Sequence, residues 1–256
     1  MIADKENVAV FIATHNNKTT IKQALSSVTK GMRPANQVVI GDNDSKDGTY
    51  DFLCEILGAK PITIDDKIGL PPQFDGEFDG TPIKIFRKRL STIGHTLNIA
   101  MQMHWQNVTI FGFMEPESWY APDKIAQAIR IFQDHQAIAC VVSDCDNYHP
   151  DGRVERVFKP SFDIQKLLAN FTYDGNFLAR PQIFQKMKSG FNEQMAIRHD
   201  YDFMLRASEL GLIYHIPAPL HNNEVRENTE DIKQSIAQSE QFAKQNALQR
   251  RGKTSG

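Results

Sequence analysis

Val8-Ala9-Val10-Phe11-Ile12-Ala13-Thr14-His15-Asn16-Asn17 starts with six consecutive apolar residues and breaks abruptly into polar ones. An apolar run of that length, β-branched in part, suits a strand buried on both faces. Working outward, Ile21, Ala24, Leu25 and Val28 recur at helical spacing, and Gly31 follows as a stop signal. Gln37-Val38-Val39-Ile40-Gly41 is a second buried run, ending in Asp42-Asn43-Asp44-Ser45-Lys46-Asp47-Gly48-Thr49. Tyr50, Leu53, Ile56 and Leu57 then mark the apolar side of another helix. Strand, polar turn and helix in alternation is the rhythm of a parallel sheet with crossover helices. Ligands of such sheets sit beyond the carboxyl ends of the strands, so the turns at 14–17 and 42–49 are the first places to look for chemistry.

Residues 65–82 hold Pro71-Pro72, Asp75-Gly76 and Asp79-Gly80 without a period, and read as a long loop, either a mobile lid or an ordered surface decoration. A short strand follows at 83–86. Ser91 is the expected cap of a helix carrying Ile93, Leu97, Ala100 and Met101. The buried run 108–114 leads straight into Glu115-Pro116-Glu117-Ser118-Trp119, and Pro122 sits in the first turn of a helix with Ile125, Ala128, Ile129 and Phe132. The second half predicts a strand at 138–142, a hairpin at 146–157 turning at Pro150-Asp151-Gly152, and a short strand at 176–179 before a helix opened by Pro181. Another helix starts near Asp200 and stops at Gly211, with a last strand at 212–216. Beyond Asn222 the chain turns polar, with a helix over about 230–248 and a frayed end at 250–256.

The chain has 256 residues, 41% hydrophobic and 23% charged, with a formal net charge of −2. It is long enough to bury a core, and its charge excludes a strongly basic nucleic-acid binder as the default. No apolar stretch approaches a membrane span, and the polar N-terminal residues lack the apolar segment of a signal peptide. Cys54, Cys140 and Cys145 form neither a disulfide framework nor a CxxC motif, which fits a reducing, cytoplasmic setting. Peripheral association with the inner face of a membrane is compatible with that setting.

Four features carry chemistry. Glu115 and Glu117, two residues apart past a buried strand, suit a hard divalent cation that neutralises a diphosphate, although an isolated pair of this kind is more often surface glutamates. Asp42, at a strand end, suits an imide N–H such as that of uracil, or simply a turn. Asp200, between His199 and Tyr201, suits a helix cap or a general base. Arg87, Lys88 and Arg89 suit phosphate oxygens or a solvated face.

Taken in order, these pieces resemble the inverting family 2 glycosyltransferases over about residues 7–229. Residues 8–16 look like that family's first strand, which usually ends Pro-Thr-Tyr-Asn, and residues 38–49 look like its Val-Val-Asp-Asp-Gly-Ser-Thr-Asp-Gly-Thr segment. Residues 113–124 resemble its Leu-Asp-x-Asp-Asp followed by an aromatic and Pro-Asp-Lys; Gly190-Phe191-Asn192-Glu193 and His199-Asp200-Tyr201-Asp202 resemble its Gly-Phe-Asp-Glu and Glu-Asp-Tyr-Asp.

The resemblance implies a GT-A fold, a three-layer α/β/α sandwich with a mostly parallel central sheet. It implies one domain over 1–228, its donor half about 1–118 and its acceptor half about 119–228, followed by a helical tail at 229–256. It implies transfer of a sugar from a nucleotide donor, a UDP-sugar foremost, to an acceptor hydroxyl of a glycan, lipid-linked sugar, protein or modified nucleic acid. Thr14, His15, Asn16 and Asp42 are the implied nucleotide contacts. Glu117 and Glu115 are the implied ligands of Mn²⁺ or Mg²⁺, and Asp200 is the implied base.

The departures are specific. Glutamates replace both acids of the metal motif, and His199 replaces the glutamate before the base. The family's Ala-Arg-Asn reads Thr96-Leu97-Asn98, so its arginine is missing and Lys88 or Arg89 is the expected compensation. Arg226 takes the place where some members put a metal-binding histidine, and is expected to help hold the diphosphate. Two other readings compete. A nucleotidyltransferase would need a glycine-rich loop that residues 14–20 lack, whereas a non-catalytic nucleotide-sugar binding module is compatible with the unusual glutamates and His199.

Overall fold

The computed structural model describes residues 6–62, 70–104, 107–169, 173–187, 189–210, 212–226 and 229–254. Its centre is β1 (Val8–Thr14), every residue of which is buried. β1 lies between β2 (Gln37–Asp42) and β6 (Ile110–Met114), both parallel to it. Period-two alternation divides β1 between two cores. Ala9, Phe11 and Ala13 pack on one face, with α3 (Ile93–Gln102), α6 (Gln182–Met187) and α7 (His199–Leu210). Val8, Val10 and Ile12 pack on the other, with α1 (Ile21–Thr29), α2 (Thr49–Leu57) and α4 (Lys124–Asp134). The result is the expected α/β/α sandwich.

The remaining elements are β3 (Lys60–Ile62), β4 (Gln73–Phe78), β5 (Thr81–Arg87), β7 (Ser118–Tyr120), β8 (Ile138–Tyr148), β9 (Val154–Val157), α5 (Ile164–Ala169), β10 (Leu178–Ala179), β11 (Leu212–Glu224) and α8 (Glu230–Thr254). The strands form one mixed sheet in the order β3-β4-β5-β2-β1-β6-β10-β8-β11-β7, with β9 paired to β8. Its central run β5-β2-β1-β6 is parallel. The registers Thr14↔Asp42 and Ile12↔Met114 end β1, β2 and β6 almost level, so their polar turns open at one edge. No helix among the described residues is long and apolar enough to cross a membrane.

Several expectations change. The loop expected over 65–82 is a hairpin from residue 73 onward: Gln73 pairs with Phe86 and Phe78 with Thr81 across β4 and β5. Asp79 and Gly80 have φ of 51° and 79°, the left-handed pair that a two-residue hairpin turn needs. A lid over 73–82 is therefore excluded by its ladder, while residues 65–69 lie outside those described. The cap of α3 is Thr92, whose side chain accepts from the His95 N–H, rather than Ser91. The last strand runs on to Glu224, passing Pro217 and Pro219 through register shifts that spare the ladder their missing N–H groups. The expected stop at Gly211 lies outside the described residues. α8 continues to Thr254, with Arg250 on Glu209 at 3.1 Å and Ala243 and Ala247 fully buried in the core.

Candidate active site

Asp42 closes β2 and is wholly buried. Its Oδ1 accepts from the Ser45 N–H at 2.9 Å, while its Oδ2 has no hydrogen-bond donor. Of the three-residue basic run, Arg87 turns to this loop: Nη2 donates to the Ser45 carbonyl at 2.6 Å, and Nε lies 3.6 Å from Asp42 Oδ1. Lys88 donates its backbone N–H to the Asp42 carbonyl, and the side chains of Lys88 and Arg89 are exposed.

The turn after β1 is held by its own polar side chains. Thr14, fully buried, donates its hydroxyl to Asn17 Oδ1 at 3.0 Å, and the His15 N–H donates to the same oxygen. The exposed His15 ring reaches the Asn43 carbonyl through Nδ1 at 2.8 Å. Asn16, in the left-handed region at φ 58°, donates its N–H to Ser45 Oγ. The turns after β1 and β2 are thus stitched together. Asn17 then spans to the third exit: its Nδ2 donates to Glu117 Oε1 at 2.5 Å.

Glu115 and Glu117 flank Pro116 just past β6. Asn176 fixes Glu115 from behind, accepting the Glu115 N–H on Oδ1 at 3.1 Å and donating to Glu115 Oε2 at 3.2 Å. Gly175 crosses so close that a Cβ there would lie 3.1 Å from Glu115 Cγ and Oε1. Desolvation raises the Glu115 pKa, and repulsion from Asp174, Asp200 and Glu117 adds to it. Glu117 is less buried, and its Oε1 also faces Arg226 Nη1 at 3.2 Å.

The fourth wall is the start of α7. Arg198 has φ 61° and accepts the N–H groups of Tyr201 and Asp202 on its carbonyl, turning the chain so that His199 and Asp200 begin the helix. Asp200 Oδ1 accepts the Tyr201 N–H at 2.9 Å. Burial raises the pKa of Asp200 and lowers that of His199. His15, Asn17, Glu115, Pro116, Glu117, Gly175 and His199 line one cavity of about 200 Å³.

Behind this cavity lies a buried polar cluster. Lys124 Nζ donates to the Asn176 carbonyl at 2.8 Å and to His221 Nδ1 at 3.0 Å. His221 Nε2 meets Asp174 Oδ2 at 2.8 Å, and Lys159 Nζ meets the same oxygen at 2.6 Å. Desolvation lowers Lys124 to about 7 and His221 to about 4, while His221 and Lys159 hold Asp174 well below the usual carboxylate range despite its burial.

No profile of a known protein family matches the chain. Over 251 residues it is 22% identical to the hyaluronan synthase of Pasteurella multocida, covering 96% of this chain and 24% of that protein. Over 228 residues it is 21% identical to the chondroitin synthase of Pasteurella multocida strain Pm70, covering 88% of this chain and 21% of that one. The chain thus spans about a quarter or less of these curated relatives. Among solved structures, S. aureus TarS 1–349 in complex with UDP-GlcNAc superposes with a TM-score of 0.66 at 14% identity, covering 91% of this chain and 65% of that one. The mannosyltransferase PcManGT from Pyrobaculum calidifontis, in complex with GDP-Man and Mn²⁺, does so with a TM-score of 0.58 at 17% identity, covering 88% and 58%. The chain has a GT-A fold, and in sequence it is similar to these two synthases.

The resemblance implies a divalent cation on the pair at Glu115 and Glu117, and one carboxylate oxygen of each is already engaged by protein groups. Glu117 Oε1 already accepts from Asn17 and faces the Arg226 guanidinium, and Glu115 Oε2 accepts from Asn176. Among the described residues, the group of three ligand-type side chains close enough for a metal is Cys145, Asp174 and His221. Two ammonium groups, those of Lys159 and Lys124, already sit against the ligand atoms of Asp174 and His221. That group is a hydrogen-bonded cluster of the GT-A core.

Sequence reasoning missed Asn17, Asp174, Asn176 and His221. Asn17 had a usable signal, being a buried-type turn amide directly after the matched motif. The other three had none.

Proposed function

We propose that the chain transfers a sugar from a nucleotide-sugar donor, a UDP-sugar foremost, to an acceptor hydroxyl with inversion. The observation that carries this reading is the convergence of the β1 and β6 exits with His199 at the start of α7 around one cavity, the β2 exit being tied to the β1 turn beside it. The unpartnered Asp42 Oδ2 supports recognition of a base N–H, since an unsatisfied buried oxygen gains about 1–3 kcal/mol when a donor arrives. Because Asp42 is fully buried, the side chains over it must move aside for the base. Thr14, His15 and Asn16 frame the nucleoside, and Lys88 and Arg89 lie at the open rim. Asp200 accepts the proton of the acceptor hydroxyl as it attacks the anomeric carbon. Its raised pKa makes it a stronger base than an ordinary aspartate. The leaving nucleoside diphosphate departs on the side of Glu117 and Arg226.

Similarity to a hyaluronan synthase and a chondroitin synthase supports a glycan as acceptor. The TarS complex with UDP-GlcNAc supports the uridine donor, and the PcManGT complex supports a Mn²⁺-assisted variant of the same chemistry. A screen for hydrolysis of UDP- and GDP-sugars, with and without Mn²⁺, tests the reading. Release of UDP from one donor is the expected result. Nucleotide binding without turnover of any donor, with or without polysaccharide acceptors, would favour the non-catalytic binding module.

A further inference from the structure

The end of β11 is fastened beside the Glu115–Glu117 turn from two directions. The Glu224 N–H donates to the Glu117 carbonyl at 3.0 Å, and the Val225 N–H donates to the Tyr148 carbonyl at 2.9 Å. The next residue is Arg226, so its position relative to Glu117 is set by backbone bonds as well as by its own side chain. Its Nη1 faces Glu117 Oε1 at 3.2 Å, and the side chain is 48% exposed. No other hydrogen-bond partner of the guanidinium exists among the described residues. A guanidinium presents five N–H groups in a rigid planar fork. With one edge on Glu117, the rest of the fork is free to face an incoming anion.

A fixed positive charge therefore stands against one carboxylate oxygen of Glu117, Oε1, which also accepts from Asn17. We propose that Arg226 supplies the positive charge for the donor's diphosphate, with Glu117 and Asn17 positioning the guanidinium, so that donor binding requires no divalent cation. This rests on the nucleotide-sugar reading above. The chemistry is balanced without a metal. Arg226 pairs with diphosphate oxygens in the donor complex and with the diphosphate released when the bond from anomeric carbon to phosphate oxygen breaks, while the acceptor proton goes to Asp200. Arginine is suited to this because its fork meets phosphate oxygens in pairs and keeps its charge at every working pH.

Calorimetry with UDP and GDP as probes, in EDTA and then in Mn²⁺, tests the assignment on the full chain. The wild type is expected to bind one of the two with affinities in EDTA and Mn²⁺ that agree within about twofold. Arg226→Ala is expected to lose at least about tenfold in EDTA, in line with a lost charge-assisted contact of about 1.5–3 kcal/mol. Arg226→His, which offers a metal ligand in place of the charge, is expected to bind weakly in EDTA and to recover with Mn²⁺. Wild-type binding that is tenfold or more tighter with Mn²⁺, or an Arg226→Ala protein with unchanged affinity, would overturn the inference and leave the donor reading standing. Failure of both nucleotides to bind in either buffer would overturn the donor reading and this inference with it.

Discussion

Asp200 combines two demands that oppose each other: a base has to reach solvent-borne substrate, yet its strength comes from partial removal from water. At the start of α7 the left-handed Arg198 turns the chain so that His199 lines the cavity, with Asp200 buried beside it and Tyr201 and Phe203 anchoring the helix in the core. Asp200→Asn should lower turnover by about 10²- to 10⁴-fold with donor affinity little changed, the range expected for loss of a general base. Equal initial rates for the two proteins would remove Asp200 from that role. In the wild type, loss of activity in acid should centre above the ordinary aspartate value of 3.8, since burial raises the group. Gly175→Ala makes a second, steric test. The added methyl meets Glu115 at 3.1 Å and must displace it by a few tenths of an ångström, so kcat/KM should fall by about tenfold while the urea midpoint stays within error. The placement of Asp42, Glu115 and Glu117 at strand exits and of Asp200 at a helix start was legible, because a carboxylate beside an apolar run is conspicuous. Asp174, Asn176 and His221 were not, because what makes them matter are bonds such as Asn176 to Glu115, 61 positions apart, and His221 to Asp174, 47 positions apart.

At the scale of elements, the buried strands β1, β2 and β6 were readable from apolar runs alone, since a strand covered on both faces needs no alternation. The edge of the sheet was not. β4 carries Asp75, Gly76 and Glu77 on a half-exposed strand, and its stability comes from pairing with β5 rather than from its own composition. The decisive local clue was Asp79-Gly80, a two-residue hairpin signature hidden in a segment rich in other breakers. The cap of α3 shows the same limit at finer grain, since Ser91 and Thr92 are chemically equivalent candidates and only the extended backbone at Thr92 selects one. Thr92→Ala should cost about 1 kcal/mol, whereas Ser91→Ala should be close to neutral, with urea midpoints as the measurement. Equal losses at both positions would mean that the Thr92 hydroxyl bond to His95 does not hold the helix end.

Across the whole molecule, the two cores meet along the sheet, and the buried cluster of Lys124, Lys159, Asp174 and His221 joins α4, β11 and the segment before β10 directly behind the cavity. Its protonation is therefore coupled to the stability of the whole fold. His221 titrates near 4 in the folded protein against 6.5 when free, chiefly because it is desolvated. Between those two values the unfolded chain binds a proton that the folded chain refuses, so stability falls as the pH drops from 6.5 towards 4 and levels off below. For a fully buried imidazole the loss is on the order of 3 kcal/mol. Asp174, whose pKa is lowered in the folded state, adds to the same trend only below its ordinary 3.8, and Lys124, lowered to about 7 from 10.5, acts in the same direction over that higher window. His221→Gln separates the imidazole from the others. A carboxamide accepts from Lys124 through its oxygen and donates to Asp174 through its nitrogen, as the neutral ring does, but takes up no proton in this range. Urea midpoints measured from pH 4 to 7 should slope steeply for the wild type and much less for His221→Gln. Parallel slopes would mean that acid sensitivity arises elsewhere and that this cluster does not govern the fold's response to pH.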